Sequence, residues 1–314
     1  MKAFALESAD RPARLISVPK PEIGEAECLV AVRAASVNGV DVFQAMGALA
    51  AMVEHVFPTV VGRDFAGTIE AVGAGFDGFA VGDDVLGFIP TVPPLKNGAF
   101  AEFIVAGPGV VLARKPAGLG FAEAAALTLA GSAALDLLNA IADEKGDVVL
   151  IVGATGGVGS LLVQLAAQRG LTVVATARRD EEAFVRELGA ADTIDYSAGS
   201  VVDAIHSRYP DGIAALIDVV NQKEALTAMS SVVRAGGHVA TLMVAADVEQ
   251  LASRGIVGTN VMAAPTVDKL NLLGELASSG SLRVHIQDTY TIDNADQALQ
   301  AFQRGTRGKI VVTF

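Results

Sequence analysis

Cysteine is nearly absent from this chain of 314 residues: Cys28 stands alone, which excludes intramolecular disulfides and cysteine-rich zinc sites. Histidine is scarce as well. His55, His206, His238 and His285 lie far apart and lack the spacing of a ligand set, so no metal is expected. Tyrosine occurs only at Tyr196, Tyr209 and Tyr290. Basic residues are the minority, 23 against 35 acidic for a net charge of −12, and no basic run occurs. Such a surface repels phosphate backbones, so no nucleic-acid partner is expected. The start, MKAFALESADRP, has neither a long apolar core nor a cleavage site. No export signal is therefore expected, and the chain reads as cytoplasmic. Repeats and low-complexity linkers are missing too. What is plentiful is apolar: mean hydropathy is +0.47, in short interrupted runs that imply large buried cores or an oligomer surface.

The length suggests two domains. The most informative stretch is Val148–Arg169, VVLIVGATGGVGSLLVQLAAQR. Five apolar, mostly β-branched residues predict a strand buried on both faces. A glycine turn follows, Gly153-Ala154-Thr155-Gly156-Gly157-Val158-Gly159, and then Leu161, Leu162, Leu165 and Ala166 at helical spacing. Strand, glycine turn and helix form the context in which such a motif binds a dinucleotide. Gly156 would let the backbone approach a diphosphate, Gly159 would let helix pack on strand, and the diphosphate would rest on unpaired N–H groups at the helix start. Ala154 takes the place of the usual first glycine. Two other readings compete: a transmembrane span over Val148–Gln168, which is uncharged and long enough, and a glycine turn with no ligand. The clustered glycines beside Thr155 and Ser160 argue against the span.

Residues 1–115 read as β-rich. Strands are expected at Lys2–Leu6, Leu29–Ala35, Thr68–Val72, Val85–Phe88 and Phe100–Val105, with glycine punctuation, the pattern of a barrel-like module. The segment 48–57 is expected to be a loop or short helix. A helix is expected from Phe121, and strands and helices then alternate to Leu242, with a helix over Lys223–Val233 stopped by Gly236-Gly237. This alternation predicts a doubly wound parallel sheet. After Pro265 come a helix over Val267–Ser278, the stretch Leu282–Ile286, a helix at 294–304, and a final strand expected to rejoin the first module.

Several of these segments together resemble the medium-chain dehydrogenase/reductase superfamily, and within it the zinc-independent quinone oxidoreductases related to zeta-crystallin. The resemblance rests on Ser36-Val37-Asn38-Gly39-Val40-Asp41, Gly62-Arg63-Asp64-Phe65-Ala66-Gly67, Val81-Gly82-Asp83-Asp84-Val85, Ala154–Gly159, Leu188-Gly189-Ala190-Ala191-Asp192 and Arg307-Gly308-Lys309-Ile310-Val311-Val312. It implies an α/β fold: a GroES-like β-barrel catalytic domain of residues 1–120 with 264–314, and a doubly wound Rossmann cofactor domain of residues 121–263. It also implies a homodimer in which the strand around Asn260–Ala263 pairs with its twin.

About 20 residues beyond the glycines, where an acidic residue would hold an NAD ribose, stand Arg178 and Arg179. Guanidinium groups suit a 2′-phosphate, so NADPH is the expected cofactor; the alternative is two arginines capping a strand end in solvent. Tyr196 resembles a family tyrosine near the adenosine end, its other reading being a surface aromatic. The resemblance further assigns Leu242, with the loop after it, and Lys309 to the cofactor. Asn38 and Asp41 match family positions beside the nicotinamide. An amide at Asn38 would donate to a developing oxyanion, or Asn38-Gly39 would be a turn. Asp41 would orient neighbours or act as a structural cap.

Two departures from the family pattern bear on chemistry. Phe43 replaces a pocket tyrosine, removing a proton donor, and Thr128 and Ala133 replace a proline and a threonine. Water is then the expected proton source, which suits quinones. Phe43, Met46, Leu49, Met52, Val53 and Phe88 are expected to line an apolar acceptor site. The expected activity is metal-free hydride transfer from NADPH to a small apolar quinone, or to an enone or enoyl-thioester. The competing reading is a non-enzymatic NADPH-binding protein. No membrane partner is expected.

Overall fold

A computed structural model describes residues 1–314. The chain divides into two compact units, Met1–Ala130 with Pro265–Phe314, and Gly131–Ala264.

In chain order the first unit begins with β1 (Lys2–Leu6), β2 (Arg14–Ser17), β3 (Cys28–Ser36), α1 (Gly39–Ala45), β4 (Thr59–Val60), β5 (Asp64–Val72), β6 (Asp84–Phe88), β7 (Phe103–Ala106) and β8 (Val111–Arg114). Helix α2 (Phe121–Asn139) follows. The expected boundary at residue 120 falls instead between Ala130 and Gly131. The physical reason is that no breaker interrupts α2: Ala124, Leu127, Ala134, Leu135 and Leu138 are all buried along its length.

The second unit contains β9 (Val148–Val152), α3 (Gly157–Gln168), β10 (Thr172–Thr176), α4 (Glu182–Glu187), β11 (Asp192–Ile194), α5 (Val201–Arg208), β12 (Ile213–Asp218), α6 (Lys223–Met229), β13 (Val233–Thr241), α7 (Val248–Ser253) and β14 (Val257–Asn260). Its sheet runs in the order β11-β10-β9-β12-β13-β14, with every pairing parallel. That order reverses direction beside β9, the place where ligands bind in open α/β sheets. Gly236-Gly237 does not end an element as expected. β13 runs through it, and the register against β12 shifts between Ile213 and Ala215 to absorb the extra residues. The candidate membrane span resolves into β9, a turn and α3. One helix, α2, is long and apolar enough to cross a membrane, and most of it is buried inside the protein.

The chain returns to the first unit with α8 (Val267–Ser278), β15 (Ile286–Thr291), α9 (Ala295–Gln303) and β16 (Lys309–Thr313). The stretch Leu282–Ile286 is not itself a strand; β15 starts where it ends. β16 pairs antiparallel with β3, Val311 opposite Ser36, so the last strand does rejoin the first module. The seven-stranded sheet runs β15-β16-β3-β5-β6-β8, with β7 also on β3, and a second sheet runs β2-β1-β4. Phe4, Val30, Phe65, Ile69, Phe100, Ile104, Ile310 and Val312 share one core. Each contributes about 1.5–3 kcal/mol by leaving water.

Candidate active site and nucleotide site

In the first unit, charged and polar side chains gather where an apolar core would be expected. Ser36, Asn38, Asp41, Gln44, Arg63, Asp64, Thr128 and Lys309 are all buried. Asn38 is the N-cap of α1, and its backbone N–H donates to Asp41 Oδ2 at 2.8 Å, one half of a capping box. Asn38-Gly39 is thus a helix start rather than a turn, and Asp41 does act as a cap. The Asn38 amide is bonded on both sides. Nδ2 donates to Asp64 Oδ2 (2.8 Å) and Ser36 O (3.4 Å), while Oδ1 accepts from Lys309 Nζ (2.6 Å). The expected donation from Asn38 to a substrate oxygen therefore finds both amide protons already engaged.

Lys309 was expected at the cofactor. Its ammonium instead lies 4% exposed inside the first unit, donating to Val37 O (2.9 Å) and Asn38 Oδ1. A lysine side chain on the buried strand β16 reaches these acceptors because β16 pairs with β3 just ahead of Asn38. Asp64 also accepts from Ser36 Oγ (2.8 Å) and Leu129 N (3.2 Å), and Arg63 Nη2 donates to Gln44 Oε1 (2.8 Å). Two carboxylates thus face two cations. Burial raises the Asp64 carboxyl, against Lys309 and its hydrogen bonds, and lowers Lys309 and Arg63.

Burial, then the Asp64 charge, push the Asp41 carboxyl from 3.8 up to about 7, against the pull of Arg63. A folded-state value above the unfolded one makes this contribution to stability full below about pH 4 and lost as pH rises toward about 7. Asp41→Asn removes that titration. Between about pH 4 and pH 8 the native protein should therefore lose up to about 4 kcal/mol of unfolding free energy relative to the variant. Urea unfolding followed by circular dichroism at both pH values measures the difference; parallel profiles would contradict it.

The apolar residues expected to line an acceptor site divide into two sets. Phe43, Met46 and Met52 are 61%, 64% and 81% exposed, with Val56 and Phe57 also exposed. Phe88 is buried in β6, paired between β5 and β8, so it is a sheet residue rather than an open lining residue. The segment 48–57 contains a single 3-10 turn, Ala48–Ala51.

The candidate nucleotide site of the second unit is built on β9 and α3. Gly156 is the N-cap of α3 without any side-chain cap, and the first-turn N–H groups have no acceptor within the helix. A Cβ on Gly156 would meet only Gly153 O, at 3.6 Å, so space over it is open to a diphosphate. A Cβ on Gly159 would lie 2.1 Å from Gly153 O and 2.7 Å from Ala154 Cα, so strand and helix close together only through glycine. Ala154 is buried, while Thr155, Gly157 and Val158 are half-buried around the turn. Thr176 at the end of β10 accepts from Gly153 N (3.2 Å). Asp218 at the end of β12 accepts from Val220 N, Asn221 N and Asn221 Nδ2.

Past β10, exposed Arg178 donates from Nε to Tyr196 Oη at 3.0 Å and lies over its ring. Arg179 is exposed too, and its backbone bonds the carboxylate of Asp195, which is held low first by Ser197. Leu242 is half-buried, immediately after β13. These residues fit a dinucleotide: an open glycine turn, free helix N–H groups and a guanidinium at the end of β10. A metal fits less well, since no group of three His, Cys, Asp or Glu side chains comes together.

Arg63, Asp64, Ser36, Gln44, Thr176 and Asp218 were missed as site residues by sequence reasoning. Only Arg63-Asp64 carried a signal, two opposite charges inside the apolar run VVGRDFAG.

Comparison with known proteins agrees with both halves. Residues 24–128 match the alcohol dehydrogenase GroES-like domain, and residues 157–262 match the zinc-binding dehydrogenase domain. The human mitochondrial NAD(P)H oxidoreductase RTN4IP1 is 29% identical over 91% of this chain and 81% of its own. The tomato (Solanum lycopersicum) 2-methylene-furan-3-one reductase is 35% identical over 72% of this chain and 57% of its own. The structure of the quinone oxidoreductase from Coxiella burnetii superposes with a TM-score of 0.89 at 28% identity, covering 100% of this chain and 99% of that one. With these two domains, the parallel sheet order and the glycine turn, the chain belongs to the medium-chain dehydrogenase/reductase family of oxidoreductases.

Proposed function

We propose that this oxidoreductase reduces a small apolar quinone with NADPH and without a metal. The observation that carries the cofactor is Arg178, exposed at the end of β10 and oriented by Tyr196 Oη. A guanidinium there pairs with a 2′-phosphate through charge-assisted bonds that NADH cannot offer. Relatives are NAD(P)H oxidoreductases and quinone oxidoreductases by name, which supports the same reaction here.

When bound, NADPH supplies the hydride. The chain's own part is to hold and shape. The α3 N–H groups hold the diphosphate, with Gly159 keeping helix on strand. The bonds among Asn38, Asp64 and Lys309 fix the start of α1. Phe43 on α1 and Met46 at its C-terminal cap, with Met52, then offer an apolar surface to the acceptor. Phe43 has no hydroxyl to give, so solvent water protonates the reduced oxygen. That route favours an acceptor whose anion is already stable, a quinone above an enone. A second copy pairing along the edge strand β14, with Met262 just beyond it 79% exposed, belongs to the same proposal.

An enone is the second reading, favoured by the resemblance to the tomato reductase. NADPH oxidation with 1,4-benzoquinone beside a simple enone separates the two. Faster turnover of the quinone is expected; preference for the enone overturns the acceptor assignment.

A further inference from the structure

Between β13 and α7 the chain makes a loop, Leu242–Asp247, whose shape is imposed rather than intrinsic. Val244 has φ +52°, the left-handed region, which is an outlier for a β-branched residue and persists only where neighbours enforce it. Its side chain is 67% exposed, so packing around that side chain is not what holds it there. The constraints lie at the two ends of the loop. Met243 N donates to Thr241 Oγ1 at 3.0 Å, and Asp247 caps α7 by accepting from Gln250 N.

The remaining constraint comes from the neighbouring strand. Asn260, the last residue of β14, stands opposite Thr241 in the parallel register. Its amide makes a two-bond pair with the backbone of Ala246: Oδ1 accepts from Ala246 N (2.9 Å) and Nδ2 donates to Ala246 O (3.0 Å). A side chain here does what a further strand residue would do, and it ties the loop to the edge of the sheet.

This loop leaves the carboxyl end of a parallel strand, the end at which such sheets hold ligands. Arg178 and Tyr196 take the phosphorylated ribose on the β10–β11 side of β9. A dinucleotide crossing the switch point therefore runs its other half toward the ends of β12 and β13, where Leu242, Met243 and Val244 emerge.

We propose that Asn260 is a positioning residue for the dinucleotide: through Ala246 it holds Leu242–Val244 in the shape that receives the nicotinamide half. The inference rests on the nucleotide reading of the second unit and extends it to a residue that faces the loop backbone rather than the ligand.

Equilibrium binding of two probes to the full chain tests it. NADPH spans both halves, while adenosine 2′,5′-bisphosphate reports only the Arg178 side. Asn260→Ala should weaken NADPH about tenfold, the worth of the lost amide pair. It should leave the bisphosphate within about twofold. Adding Val244→Gly should recover part of the loss, because glycine adopts the left-handed conformation without enforcement. Unchanged NADPH affinity overturns the inference, and so does an equal fall for both probes, which would mean general loosening of the unit. If the native chain binds neither probe, the nucleotide reading itself fails, an outcome separate from a failure of Asn260 alone.

Discussion

Lys309→Met is expected to destabilise the first unit by about 3–5 kcal/mol, the cost of removing a buried cation from the carboxylate and acceptors it compensates. The ammonium lies on β16 with 4% exposure and bonds Val37 O and Asn38 Oδ1. It also opposes the burial that pushes Asp64 toward its neutral form. Methionine fills similar volume but leaves two acceptors unpaired and Asp64 without the Lys309 charge that opposes its burial. The loss should be partly repaired by Asp64→Asn, since the uncompensated charge then disappears. The double variant should be more stable than the sum of the single losses predicts. The chain has no tryptophan, so far-UV circular dichroism is the suitable probe of the urea transition. An unchanged midpoint for Lys309→Met would show that the buried ammonium does not hold this cluster together.

Arg178→Ala is expected to weaken NADPH by about 10- to 100-fold while leaving NADH nearly unchanged, since a bond to a charged group contributes about 1.5–3 kcal/mol. The effect should appear in KM rather than kcat, because the 2′-phosphate lies far from the reacting carbon and its binding is uniform between ground and transition states. Arg179→Ala should do less. Arg178 is the one whose guanidinium is joined to Tyr196. Equal losses for both coenzymes on Arg178→Ala would remove the argument for NADPH.

Much of the architecture was legible because it is written locally. Val148–Val152 and the helix after Gly156 follow from hydrophobic period alone, and the arginine pair from a simple count past the glycines. Other features failed for identifiable reasons. Helix α1 is seven residues long and opens with Asn-Gly, which reads as a turn. The signal that outweighs it is the three-residue spacing of Asn38 and Asp41, a capping box. β13 carries two adjacent glycines that usually end an element, and a register shift lets it continue. The role of Lys309 could not be read at all. Its partner Asn38 lies 271 positions away in sequence, and only the return of β16 to β3 brings the two together. Arg63 and Asp64 were visible as charges within an apolar run, but their partners come from four separate segments.

The central claim is that this chain carries hydride from NADPH to a quinone. Loss of reduced-coenzyme absorbance, with purified protein, 1,4-benzoquinone or 9,10-phenanthrenequinone, and NADPH or NADH in parallel, tests it most directly. The expected result is turnover with a quinone and NADPH, and little with NADH. Tight NADPH binding with no turnover of any quinone or enone would contradict the claim and make the chain a nucleotide-binding protein built on an oxidoreductase fold.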